Sequence, residues 1–181
     1  AGAVAILGNS ITDGFGVTTD GFNRWTDVFT TRLLANPATA GVGVLNGGIG
    51  AGNMLAGGVS TPGLQRYKRD LFDHSGVRWV VIFLGVNDIG TAGTTAVATV
   101  AQNLINAYTQ IADSARARGI KAYGATIAPF NGNSYYNANR EAARQALNAW
   151  IRTTDKLDGV VDFDRMLRNP ADTTRLLPAY N

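Results

Sequence analysis

Three short stretches of this 181-residue chain set glycines beside groups that can hold a developing negative charge: GNSITDG at 8–14, NGGIGAGN at 46–53 and GVNDIG at 85–90. Ser10 offers a hydroxyl that becomes a nucleophile once a base takes its proton. Asn87 offers a side-chain amide that can donate to an oxyanion, a contact whose loss typically costs on the order of 2.7–4 kcal/mol in a transition state. Gly52, with Gly50 as the alternative, offers a backbone N–H where no side chain would obstruct a substrate. Each also has a plain structural reading. Ser10 with Asp13 three residues on has the form of a helix-capping pair, Asn87 can close a turn, and Gly52 can be a turn glycine. The strand–helix elbow G-x-S-x-G is not met, because Thr12 stands where its second glycine would be.

For these stretches to act together they must lie at one rim, and the pattern around them puts them there. Short apolar runs at 3–7, 42–46, 77–85, 120–128 and 159–163 are rich in β-branched or aromatic residues and bounded by Gly, Asn or Asp. That is the signature of buried strands. Between them, 24–35, 62–73, 96–118 and 138–153 carry apolar residues at helical spacing. Strand alternating with helix predicts a parallel sheet with helices on both faces, and in such sheets chemistry gathers beyond the carboxyl ends of the strands. The three stretches follow the first three strands.

Composition narrows the class. With 45% hydrophobic and 16% charged residues the chain reads as one globular domain with a substantial core. No apolar run reaches the roughly 20 residues of a membrane span, so no membrane partner is expected. The net charge of +3 comes from scattered arginines and lysines rather than a basic stripe, which argues against a nucleic-acid partner. Absence of cysteine removes disulfides, thiolate chemistry and zinc–cysteine sites. GGIGAG invites a dinucleotide fingerprint, yet G-x-G-x-x-G fails at Ile49 or Asn53 according to where the reading starts. Neither a cofactor nor a metal is expected. Few Lys and Glu, with abundant Gly, Ala, Thr and Asn, lean toward a secreted or extracellular protein.

Taken in order, GNSITDG, NGGIGAGN and GVNDIG resemble the first three sequence blocks of the SGNH (GDSL) hydrolases, and the resemblance runs over essentially the whole chain. It implies a flavodoxin-like α/β three-layer sandwich with a parallel five-stranded sheet, and serine-ester hydrolysis without a cofactor. By that likeness Ser10 is the nucleophile, and the amides of Ser10 and Gly52 with the side chain of Asn87 form the oxyanion hole. Because GIGAGN carries one residue more than the usual GISGN, Gly50 is an alternative to Gly52.

Two further departures matter. Asn9 stands where the family has Asp. The resemblance implies an Asp-x-x-His block near the C-terminus, and residues 1–181 contain none. The sole histidine, His74, precedes the third strand and is expected at the far rim from Ser10. The expectation is therefore a single domain over 1–181 lacking its C-terminal segment, with the base His and its Asp beyond Asn181 or on a companion peptide of the same protein. Likeness to small extracellular members implies a carbohydrate ester such as acetylated xylan, with Tyr135, Tyr136 and Phe130 placed to stack on sugar faces. A short-chain acyl or lipid esterase is the alternative within the class; a non-catalytic carbohydrate-binding relative lacking a base is the alternative outside it.

Overall fold

The β-branched runs form the five strands that the alternation predicts. The computed structural model describes residues 2–94 and 96–180. Strands β1 (Gly2–Gly8), β2 (Val42–Gly48), β3 (Val77–Phe83), β4 (Lys121–Ala125) and β5 (Gly159–Val161) form one parallel sheet in the order β2-β1-β3-β4-β5. The winding direction reverses between β1 and β3, so the crevice beyond their carboxyl ends is the topological switch point of the sheet. GNSITDG and GVNDIG leave the sheet from those two strands.

Helices cover the sheet unequally. Helix α5 (Val97–Arg116) buries Val100, Leu104, Tyr108, Ile111 and Ala115, and α6 (Ala138–Thr153) buries Ala143, Leu147 and Ile151 beside it. Both stripes follow the 3.6-residue period and pack with α3 (Gly63–Tyr67) on one face. On the other face α2 (Trp25–Ala35) lies against the β2 side. Toward β5 that face stays open: Val4, Trp79, Val81, Tyr123 and Val161 floor a groove of about 470 Å³ walled by Phe29 and Leu33.

Local departures from the sequence expectation have identifiable causes. The segment at 62–73 is not one α-helix: α3 widens into a π-helical turn at Lys68–Phe72. The fourth strand stops at Ala125 rather than running to 128, because Asn148 replaces the ladder there, accepting from the Ile127 N–H at 2.8 Å and donating to its carbonyl at 2.9 Å. Asn87 lies in the first turn of a short helix, α4 (Val86–Thr91), rather than in a plain turn. Beyond β5, α7 (Phe163–Leu167) leads into an antiparallel hairpin of β6 (Arg168–Asn169) and β7 (Asp172–Leu176) that the apolar periodicity did not reveal.

Candidate active site

Ser10 is the first residue of the one-turn helix α1 (Ser10–Asp13), and it does not cap that helix. The cap is Asn9, which keeps an extended backbone (φ −108°, ψ −154°) while its Oδ1 accepts from the Ile11 N–H at 2.9 Å. A cap must have non-helical dihedrals; Ser10, already helical, cannot serve. Its own amide makes no hydrogen bond among the described residues, as expected of a first-turn N–H. Ser10 therefore presents a half-buried hydroxyl beside an unspent donor.

Two glycines allow this helix to sit so close to the sheet. A Cβ on Gly8 would fall 2.2 Å from Thr12 Oγ1, and one on Gly48 would fall 2.3 Å from the Asp13 nitrogen. Asn46 completes the seat by donating to the Thr12 carbonyl at 2.8 Å.

The second loop leaves β2 and is stitched to its neighbours on both sides. Ile49 N–H donates to the Gly8 carbonyl (3.2 Å), tying the loop to the strand that delivers Ser10. Within it, Gly52 N–H closes a turn onto the Ile49 carbonyl at 3.1 Å, over Ala51 held at φ +54°. The Gly50 amide has no partner among the described residues. Asn87 then reaches from α4, its Nδ2 donating to the Gly52 carbonyl at 2.9 Å. One of its two amide hydrogens is spent there and the other remains available.

Two charged residues, missed by the sequence reading, hold this arrangement. Arg66 is fully buried and donates to the Gly8 carbonyl at 2.8 Å and the Gly47 carbonyl at 2.9 Å, spanning the ends of β1 and β2 while pairing with Asp70. Asp88, 7% exposed, accepts from the Met54 and Leu55 amides at 2.8 and 2.9 Å. Burial raises its carboxyl above the ordinary aspartate range even though those amides pull the other way. Arg66 lies off the i, i+3, i+7 stripe of Leu64, Tyr67 and Leu71, so periodicity carries no signal for it. For Asp88 the signal was only its adjacency to Asn87.

Tyr135 packs on Gly90, where a Cβ would fall inside its ring, and its hydroxyl lies 3.4 Å from Asn87 Oδ1. Tyr135 thus lies at the same rim as Asn87. Tyr136 packs edge-on against the buried Phe130, ring centres 6.4 Å apart, which gives both rings a packing role. His74 precedes Val77, the β3 residue paired with Ala3, whereas Ser10 follows Gly8, paired with Phe83. At about 3.3 Å per residue those ends of the sheet are roughly 17 Å apart. His74 instead shares a groove along β2 with Arg69 and Asp70. Among the described residues no cluster of His, Asp or Glu is placed to hold a metal ion.

A model of the GDSL-like lipase/acylhydrolase family matches residues 6–180. A search of curated proteins finds no match. The chain is similar in structure to a G-D-S-L family protein from Desulfitobacterium hafniense DCB-2, with a TM-score of 0.69 at 18% identity over 98% of this chain and 85% of that one. It is similar also to Est24, a carbohydrate acetylesterase from Sinorhizobium meliloti, with a TM-score of 0.67 at 16% identity over 90% and 84%. For TesA the TM-score is 0.61 at 26% identity over 87% and 76%.

Proposed function

The chain belongs to the GDSL-like lipase/acylhydrolase family, and on that premise we propose that it is a serine ester hydrolase removing short acyl groups, chiefly acetyl, from carbohydrate esters such as acetylated xylan. The observation that carries this reading is the position of Ser10. Its hydroxyl opens a helix whose first amide is unspent, at a switch-point rim where Asn87 and the Gly50–Gly52 loop are already hydrogen-bonded into one unit. Ser10 Oγ attacks the ester carbonyl. The carbonyl oxygen, now negative, is held by the Ser10 amide, the free hydrogen of Asn87 and an amide of the second loop: that of Gly50, which has no partner among the described residues, or that of Gly52, which must first leave the Ile49 carbonyl. Collapse expels the alcohol, and water releases the acid.

His74, the one histidine of residues 1–181, stands at the other end of the sheet from Ser10, which supports a base and its Asp carried beyond Asn181 or on a companion peptide. An intact mass above 19.1 kDa, or a companion peptide carrying Asp and His, is the expected finding for the purified protein. A mass equal to the chain alone would leave only the slow turnover that an oxyanion hole supports without a base.

An apolar-acyl preference is the second reading, favoured by Ile11 and Phe15, which are 45% and 85% exposed immediately beside the serine. Rates on acetylated xylan and on p-nitrophenyl acetate, butyrate and octanoate separate the two. Acetyl release should dominate, and Ser10→Ala should lower it by several orders of magnitude; a maximum at octanoate favours the second reading.

A further inference from the structure

Asp88 is expensive where it stands. A carboxylate 7% exposed, bonded to backbone amides and ion-paired to no side chain among the described residues, costs more to bury than the neutral amide of an asparagine. The chemical steps above do not use it. What it touches explains the expense: its two oxygens take the consecutive N–H groups of Met54 and Leu55, two residues beyond Gly52, while its neighbour Asn87 takes the Gly52 carbonyl. Adjacent side chains on α4 thus grip both ends of one four-residue stretch.

Only an ionised carboxylate can accept two such bonds without presenting a hydrogen to either amide. An Asn would turn its NH₂ group against one of them. The far side of the stretch is pinned as well, by Gly63 N–H to the Asn53 carbonyl at 2.8 Å and Leu64 N–H to the Met54 carbonyl at 3.0 Å. With the carboxylate in place, the loop amides and the Asn87 side chain keep one spacing before substrate arrives, as preorganised oxyanion stabilisation requires.

We propose that Asp88 is a positioning residue for the oxyanion hole: it fixes the 52–55 backbone against α4, setting the second loop's amide and Asn87 at a common distance from the oxyanion. It acts through those donors and does not itself touch substrate. The inference rests on the function proposed above.

Phenylboronic acid tests it without needing a general base. Ser10 Oγ bonds to the trigonal boron, its hydroxyl proton goes to solvent, and the tetrahedral boronate anion places an oxygen where the oxyanion would sit. Wild-type chain should form the adduct, seen by boron NMR, and Ser10→Ala should not. Asn87→Ala should weaken it at least tenfold, and Asp88→Asn about tenfold. The double variant should lose less than the product of the two single losses, because both residues act through one hole. Amide exchange at Met54 and Leu55 should quicken in Asp88→Asn while that of β1 stays unchanged. If Asp88→Asn does not fold, Asp88→Glu, which keeps the charge but displaces it by a methylene, is read in its place.

Outcomes separate cleanly. No adduct in wild type, or full affinity in Asn87→Ala, overturns the proposed function and this inference with it. Losses in Ser10→Ala and Asn87→Ala with wild-type affinity at Asp88→Asn overturn this inference alone. So does a loss at Asp88 that adds in full to that at Asn87, since it would report general loosening rather than a shared hole.

Discussion

At the scale of single residues, the division of labour between Asn9 and Ser10 decides what each can do. Because Asn9 caps α1, the Ser10 hydroxyl has no structural bond to break before it reacts, and serine chemistry is uncoupled from helix stability. Asn9→Ala should cost about 1 kcal/mol in a urea unfolding titration, the usual value of a side-chain cap, whereas Ser10→Ala should leave the midpoint nearly unchanged. The sequence showed a Ser and an Asp three apart and invited the opposite assignment. Nothing in residue identity distinguishes a cap at Asn9 from one at Ser10, for both types cap well; the backbone dihedral at Asn9 decides. Ser10, Gly52 and Asn87 were legible as candidates because their glycine-rich surroundings are unusual. Arg66 and Asp88 were not, since each acts on backbone atoms that no side-chain pattern records.

Among the elements, α6 and α7 are joined by charge rather than by apolar contact alone. Arg144 is fully buried and pairs with Glu141 and with the equally buried Asp164 at the start of α7, and Arg152 pairs with both Asp162 and Asp164. Arg144 also donates to the Ile127 carbonyl, holding the chain where it leaves the sheet after β4. Arg144→Ala should therefore destabilise by about 3–5 kcal/mol in chemical unfolding, because it leaves the buried Glu141 without a cation and Asp164 with only Arg152 and the more distant Arg168. Asp162 gives the network a pH signature. Burial alone would raise its carboxyl, but the Arg152 guanidinium, the Arg165 amide and the Thr126 hydroxyl hold it down at about 2. A carboxyl lowered in the folded state adds stability that is fully present above its ordinary value near 3.8 and is lost as pH falls toward 2. Asp88, raised by burial, works in the opposite direction, its contribution falling as pH rises through and above the ordinary aspartate range. Arg152→Gln should consequently flatten the loss of stability between about pH 4 and 2, measured as the urea midpoint against pH. Helical and strand periods exposed α5, α6 and the five strands. They missed the β6–β7 hairpin, whose short strands are only partly buried and so carry no regular apolar alternation.

For the molecule as a whole, fold class and strand positions were readable because a parallel sheet buried on both faces demands continuous β-branched runs, and few other folds do. What the runs could not show is how unevenly the two faces are covered. The α2 face keeps Trp79, Tyr123 and Val161 half-buried along an open groove over the buried Val81, an accessible apolar surface that should bind a hydrophobic dye such as anilinonaphthalene sulfonate in the folded state at neutral pH. Val161→Lys should reduce that fluorescence at least severalfold without loss of far-ultraviolet ellipticity; unchanged fluorescence would place the dye elsewhere. The buried guanidinium of Arg66, bonded at once to the carbonyls of Gly8 and Gly47, bears on how this rim can be rebuilt. It joins the serine loop to the glycine loop from below, as Asn87 and Asp88 join the glycine loop to the third from the side. The three loops are accordingly one transplantable cassette: a designer who exchanges the stretch at 49–55 for that of another protein inherits mismatched sockets unless residues 66, 87 and 88 travel with it.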